Sequence, residues 1–185
     1  MKKLSVLLFL SASAVAANAQ TIGKWYGEAS YQMQSLEDTS SDGLGKFKTN
    51  SLSLTVGNIV ANNIAVEGIY NLPSSSATND YTAPATLTLK SKGGYGIALR
   101  PFINVTDKVE LFARVGRIHG KTNFSGIDNN GDAFDTTEKN TNNFYGFGAA
   151  YKLSTQVSVV ADYKKVTGVE GAKVSLTGIG VRYNF

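Results

Sequence analysis

Eight stretches of this chain alternate apolar with polar or small residues at period two, and none sustains a helical period. In WYGEASYQM, Trp25, Gly27, Ala29, Tyr31 and Met33 share one face, while Tyr26, Glu28, Ser30 and Gln32 share the other. NSLSLTVG (50–57), IAVEGIYNL (64–72), LKSKGGYGIALR (89–100) and VELFARVGR (109–117) repeat the arrangement. So do FYGFGAAYKL (144–153), VSVVADYKK (157–165) and the closing LTGIGVRYNF (176–185). Period-two alternation recurring this often predicts antiparallel β structure with two unlike faces.

The connections alternate long and short. LEDTSSDGLGK, PSSSATNDYTAPA, GKTNFSGIDNNGDAFDTTEKNTN and TGVEGA read as long loops, with VANN, NVTD and STQ between them as short turns. Consecutive up-and-down strands then place every long loop at one end. About eight such strands can close into a barrel, which removes both sheet edges. Before them stands MKKLSVLLFLSASAVAANAQ, with basic Lys2 and Lys3, an apolar run and the triplet Ala17-Asn18-Ala19. This pattern predicts a secretory signal peptide over 1–19 and a single barrel domain over 20–185. Cysteine is absent, so no disulfide framework is expected. Eighteen Lys and Arg against 14 Asp and Glu, two of the bases lying in the leader, argue against a nucleic-acid partner.

Alternation leaves open which face points inward. A soluble barrel lines its interior with the apolar face, whereas an outer-membrane barrel turns that face to lipid. The polar face here consists of small residues with a few full charges, and Trp25, Tyr70, Tyr151, Tyr163 and Tyr183 lie near strand ends of the apolar face. An interfacial aromatic girdle has that placement. The expectation is therefore an all-β, eight-stranded antiparallel transmembrane barrel with a polar lumen. Glu28, Glu67, Arg100, Glu110, Arg114, Lys152, Asp162, Lys164 and Arg182 should form a charge network inside it, with Arg100 and Glu110 pairing across one short turn. Eight strands leave room for little more than side chains, so a packed lumen is expected, with a narrow, weakly selective channel as the alternative.

IAVEGIYNL, YGFGAAY (145–151) and the closing alternation through Val181, Tyr183 and Phe185 resemble the small outer-membrane barrel family of OmpA transmembrane domains, OmpX/Ail proteins and opacity-type porins. The resemblance implies residence in the bacterial outer membrane and contact with its lipid. It also implies that the barrel-assembly machinery reads the closing residues. Some barrels of this size modify lipid A or cleave proteins, and His119 is the only histidine available for such chemistry. RIHGKTNF lacks the His-x-Ser pattern of the lipid A deacylases, and the chain is read as non-enzymatic, without cofactor. Asp128, Asn130 and Asp132 have EF-hand-like spacing, but Ala133 and Lys139 stand where the loop needs Gly and Glu, so no metal is expected. Arg117, His119 and Lys165 fall outward at the long-loop end, where cations would meet lipopolysaccharide phosphates. The expected role is in envelope integrity or in binding through the loops, which are acidic through Glu37, Asp38, Asp42, Asp128, Asp132, Asp135 and Glu138 and are the expected contact for a host or envelope protein.

Overall fold

The computed structural model describes residues 22–38, 46–73, 75–80, 86–127, 130–169 and 171–185. The expected signal peptide, Asp42 and Asp128 lie outside them. The strands are β1 (Trp25–Asp38), β2 (Lys46–Ala61), β3 (Ile64–Asn71), β4 (Ser76–Asp80), β5 (Thr86–Asn104), β6 (Val109–Ile127), β7 (Ala133–Lys152), β8 (Val157–Thr167) and β9 (Ala172–Asn184). All neighbours are antiparallel, β1 pairs with both β2 and β9, and β3 pairs with β5. The sheet therefore closes into a ring of eight. The short β4 adds no ninth position: it continues along β5 from where β3 leaves off, Asn71 facing Gly94 and Ser76 facing Lys90. The step between them falls at a bulge in β5 between Ser91 and Gly94. There Gly93 has a φ of 90°, and a Cβ on it would press on the Asn71 carbonyl, so only glycine fits without strain.

Local chemistry makes the short turns. Asn63 occupies the left-handed region at φ 63°, which Asn tolerates better than most residues, and β2 reverses into β3. In the β5–β6 turn the Thr106 hydroxyl accepts from the backbone N–H of Lys108 (3.2 Å) and Val109 (3.0 Å). Ser154 repeats the device between β7 and β8, accepting from Gln156 and Val157 at 3.2 and 3.0 Å.

The apolar face is outside. Trp25, Leu54, Ile97, Leu99, Phe147, Ile179 and Val181 are all exposed, Phe147 at 66 %, while Glu67, Arg100 and Arg114 are at 2 % or less. Aromatic side chains mark both ends of this band, with Tyr151, Tyr183 and Phe185 by the short turns and Tyr70, Tyr95 and Tyr145 toward the other end.

The connections differ from expectation. The stretch GKTNFSGIDNNGDAFDTTEKNTN is not a loop over most of its length. β6 and β7 stay in unbroken register from Val109 opposite Tyr151 up to Ile127 opposite Ala133, forming a long hairpin. Asp135 and Glu138 accordingly lie on a strand, as do Glu37 and Asp38 at the end of β1.

Candidate functional site

The charged residues gather inside the ring, each of them buried. Six of the eight ring positions send in a charge: Glu28 from β1, Glu67 from β3, Arg100 from β5, Glu110 and Arg114 from β6, Asp162 and Lys164 from β8, and Arg182 from β9. Arg114 is the hub. Its Nε donates to Glu67 Oε2 at 2.7 Å, Nη1 to Asp162 Oδ2 at 2.5 Å, and Nη2 to Glu28 Oε2 at 2.9 Å. Arg182 bridges Glu28 at 2.9 Å and Glu110 at 2.8 Å. Arg100 pairs with Glu110 across the β5–β6 turn and stands 3.6 Å from Glu67, and Lys164 sits 3.2 Å from Asp162. Four cations thus meet four carboxylates, and the cluster as a whole is neutral. Charges this deep are tolerable only because each is paired.

Aromatic rings fill the gaps between the charges. The Arg100 guanidinium lies 4.3 Å from the Phe112 ring centre and that of Arg114 lies 4.8 Å from it, both within cation–π range. Tyr26 donates its hydroxyl to Glu67 Oε1 at 2.6 Å and carries Arg182 over its face at 4.8 Å. The two strands that send no charge into the cluster, β2 and β7, make room. A Cβ on Gly57 of β2 would overlap the Tyr26 ring, and one on Gly148 of β7 would overlap Phe112. Tyr26 is the member that reading the sequence missed, although it shares the inward parity of Glu28. Lys152, expected in the same network, is not joined to it. It is the last residue of β7, and its ammonium donates to Asn104 Oδ1 at 3.2 Å instead.

The outward cations divide into two groups. On β6, Arg117 is exposed, and His119 meets the Thr141 hydroxyl at 2.8 Å and the Tyr95 ring at 5.2 Å. Lys165, two strands away on β8, lies in a separate cleft of about 170 Å³ that it shares with Lys46, Lys173 and one carboxylate, Glu37. Those two lysines carry the same outward parity and were not singled out from sequence. The Thr141 hydroxyl is the side-chain hydrogen-bond partner of His119, and no carboxylate is among these contacts. At the closing end, Val181 and Tyr183 face outward on β9. The Phe185 ring packs edge-on against Tyr183 at 5.3 Å, and its backbone N–H donates to the Trp25 carbonyl at 3.0 Å.

Comparison with known proteins agrees with this architecture. The family model described as outer membrane protein beta-barrel domain matches residues 4–185. Ail of Yersinia pestis, solved in complex with the heparin analogue sucrose octasulfate, superposes with a TM-score of 0.61 at 18 % identity, over 89 % of this chain and 100 % of that one. Neisserial surface protein A gives 0.58 at 17 % identity, over 87 % and 97 % of the two chains. OprG of Pseudomonas aeruginosa gives 0.58 at 15 % identity, over 90 % and 98 %. At these identities the likeness is one of fold. No curated protein matches the sequence.

Proposed function

Because the chain belongs to the outer membrane protein beta-barrel domain family, and so resides in the bacterial outer membrane, we propose that it is a non-enzymatic, closed barrel that presents its β6–β7 hairpin to a partner outside the cell. The observation that carries this reading is the hairpin. A strand crosses the bilayer with about 9–11 residues, while β6 has 19 and β7 has 20. The excess, roughly nine residues at about 3.3 Å each, extends about 30 Å along the strand, or about 20 Å above the membrane at a tilt of about 45°. Along it Lys121 and Lys139 stand against Asp132, Asp135 and Glu138. This balance favours a cationic or neutral partner over a polyanion of the kind bound in the Ail complex. Lys46, Lys165 and Lys173 would hold lipopolysaccharide phosphates on the outer wall, and Arg117 would do the same from β6. The closing residues Val181, Tyr183 and Phe185 would be read by the barrel-assembly machinery.

The test replaces residues 121–139 by Asn-Gly, a turn that closes β6 on β7. Cells producing either form are compared for mutual aggregation and for adhesion to cultured epithelial cells. Both forms should assemble, seen as a mobility shift between boiled and unboiled samples, and only the full-length protein should promote contact. Equal aggregation and adhesion by the two forms would refute the display reading. For the channel alternative, a planar bilayer should carry no steady current, because ions would have to pass between Arg114 and three carboxylates already bonded to it.

A further inference from the structure

Above the charge cluster the lumen changes character. Outer-membrane barrel interiors are polar, yet here Leu36, Phe47, Leu89, Ile118, Val174 and Leu176 wall a cavity of about 380 Å³ inside the strands. That volume lies in the range of small-molecule sites. A narrower pocket of about 20 Å³ shares Asn71, Ile118, Val166 and Leu176 with it and reaches Gln32 and Lys164, so the cavity runs down to the edge of the charge cluster. Two polar atoms stand unpaired there. Gln32 is 1 % exposed and its amide nitrogen reaches Ser30 Oγ at 3.4 Å, but its Oε1 has no hydrogen-bond partner. Asn71 Oδ1, which borders both spaces, has none either. A buried acceptor left unpaired is costly, and apolar walls hold water poorly.

We propose that this cup binds a small, uncharged apolar molecule carrying one hydrogen-bond donor, an alcohol on a hydrocarbon or aromatic frame or a weakly basic secondary aryl amine. Its body lies against the leucine, isoleucine, valine and phenylalanine walls, and its donor end points down to Gln32 and Asn71. A carboxylate is disfavoured, because Lys164, the cation at the floor, is engaged by Asp162, the cluster below is already neutral, and the other cation on the lining, Lys121, is matched there by Glu138.

The probe is N-phenyl-1-naphthylamine, an apolar fluorophore with a single N–H. It is titrated into the full-length protein in lipid nanodiscs, with empty nanodiscs as the blank. Saturable binding of one probe per barrel is expected above the blank. Ala172 lines the cup and Ala113 faces lipid; Ala172→Trp should abolish the saturable component, and Ala113→Trp should leave it. Gln32→Leu should weaken the amine about fivefold, the worth of one neutral hydrogen bond, and leave the N-methylated probe, which has no donor, unchanged. Folding of each variant is read from heat-modifiable mobility, independently of binding. Absence of a saturable component in the wild type, or its persistence in folded Ala172→Trp, overturns the proposal. Weakening of both probes alike by Gln32→Leu overturns the donor assignment.

Discussion

Removing Arg114 puts the lumen cluster to its hardest test. Arg114→Met keeps much of the side-chain volume but takes away the cation that bonds Glu28, Glu67 and Asp162 together. Three cations would then face four carboxylates, all buried. Deleting one partner of a buried ion pair costs about 3–5 kcal/mol, because the charge left behind has neither water nor counterion. The three direct ion pairs would suggest more, at about 1.5–3 kcal/mol per charge-assisted bond. Glu28 keeps Arg182 at 2.9 Å and Asp162 keeps Lys164 at 3.2 Å, whereas Glu67 keeps only the Tyr26 hydroxyl and the more distant Arg100 at 3.6 Å, so the loss falls mainly on Glu67. Urea unfolding from lipid vesicles, followed by the fluorescence of Trp25, reads the effect. With a slope of about 2 kcal/mol per molar urea, the midpoint should drop by about 2 M. Adding Glu67→Gln restores three charges of each sign and should recover about half of the loss. Lys152→Met removes a charge that the cluster does not use and should shift the midpoint by less than about 0.5 M. If Arg114→Met unfolds within about 0.5 M of wild type, or the double variant is no more stable than the single one, the cluster is not the keystone described here.

Two further outcomes follow from the outer surface. Phe147, 66 % exposed in the apolar band, should tolerate Leu, whereas Phe147→Arg should cost about 2–4 kcal/mol in the same urea assay, the penalty for a cation on the lipid face near mid-bilayer. If Phe185 acts as an assembly signal, Phe185→Ser should lower the heat-modifiable fraction in outer membranes of producing cells while the purified chain still refolds into vesicles at the wild-type yield; equal membrane fractions would remove it from that role.

The charged members of the lumen were legible because parity is local: Glu28, Arg114 and Arg182 each sit between outward apolar neighbours. Their partners were legible only where the chain is short. Arg100 and Glu110 flank one turn, ten residues apart, and they pair. Arg114 and Glu28 are 86 residues apart, and what brings them together is the closure and shear of the ring, which no local pattern encodes. The β6–β7 hairpin was hidden for a different reason. Alternation is the imprint of one buried face, and residues 133–141 are exposed on both. A strand wet on both sides carries no alternation, and its run of Asp, Thr, Glu, Lys and Asn looks like loop. Pairing extends there because a ladder fixed at Val109 and Tyr151 propagates one rung at a time.

The apolar cup follows from the same pattern, carried past the membrane. Along β9 the inward residues change from Arg182 to Leu176 and Val174, while the outward ones change from Val181 and Ile179 to Ser175 and Lys173. β8 makes the same exchange from Asp162 and Lys164 inside to Val166 inside, with Lys165 outside, and β2 from Ser53 and Thr55 to Phe47, with Lys46 and Lys48 outside. Along these stretches period two holds and its polarity reverses. Lipid outside demands an apolar outer face and admits a polar lumen, whereas water outside demands the opposite. The reversal therefore marks where the wall leaves the bilayer, and above that level the barrel is built as a soluble one, apolar inside. Such an interior in an eight-stranded ring is wide enough either to be filled by its own side chains or to hold one small ligand. Below the reversal this chain fills it with Arg114 and its partners, and above it the strands leave about 380 Å³ open.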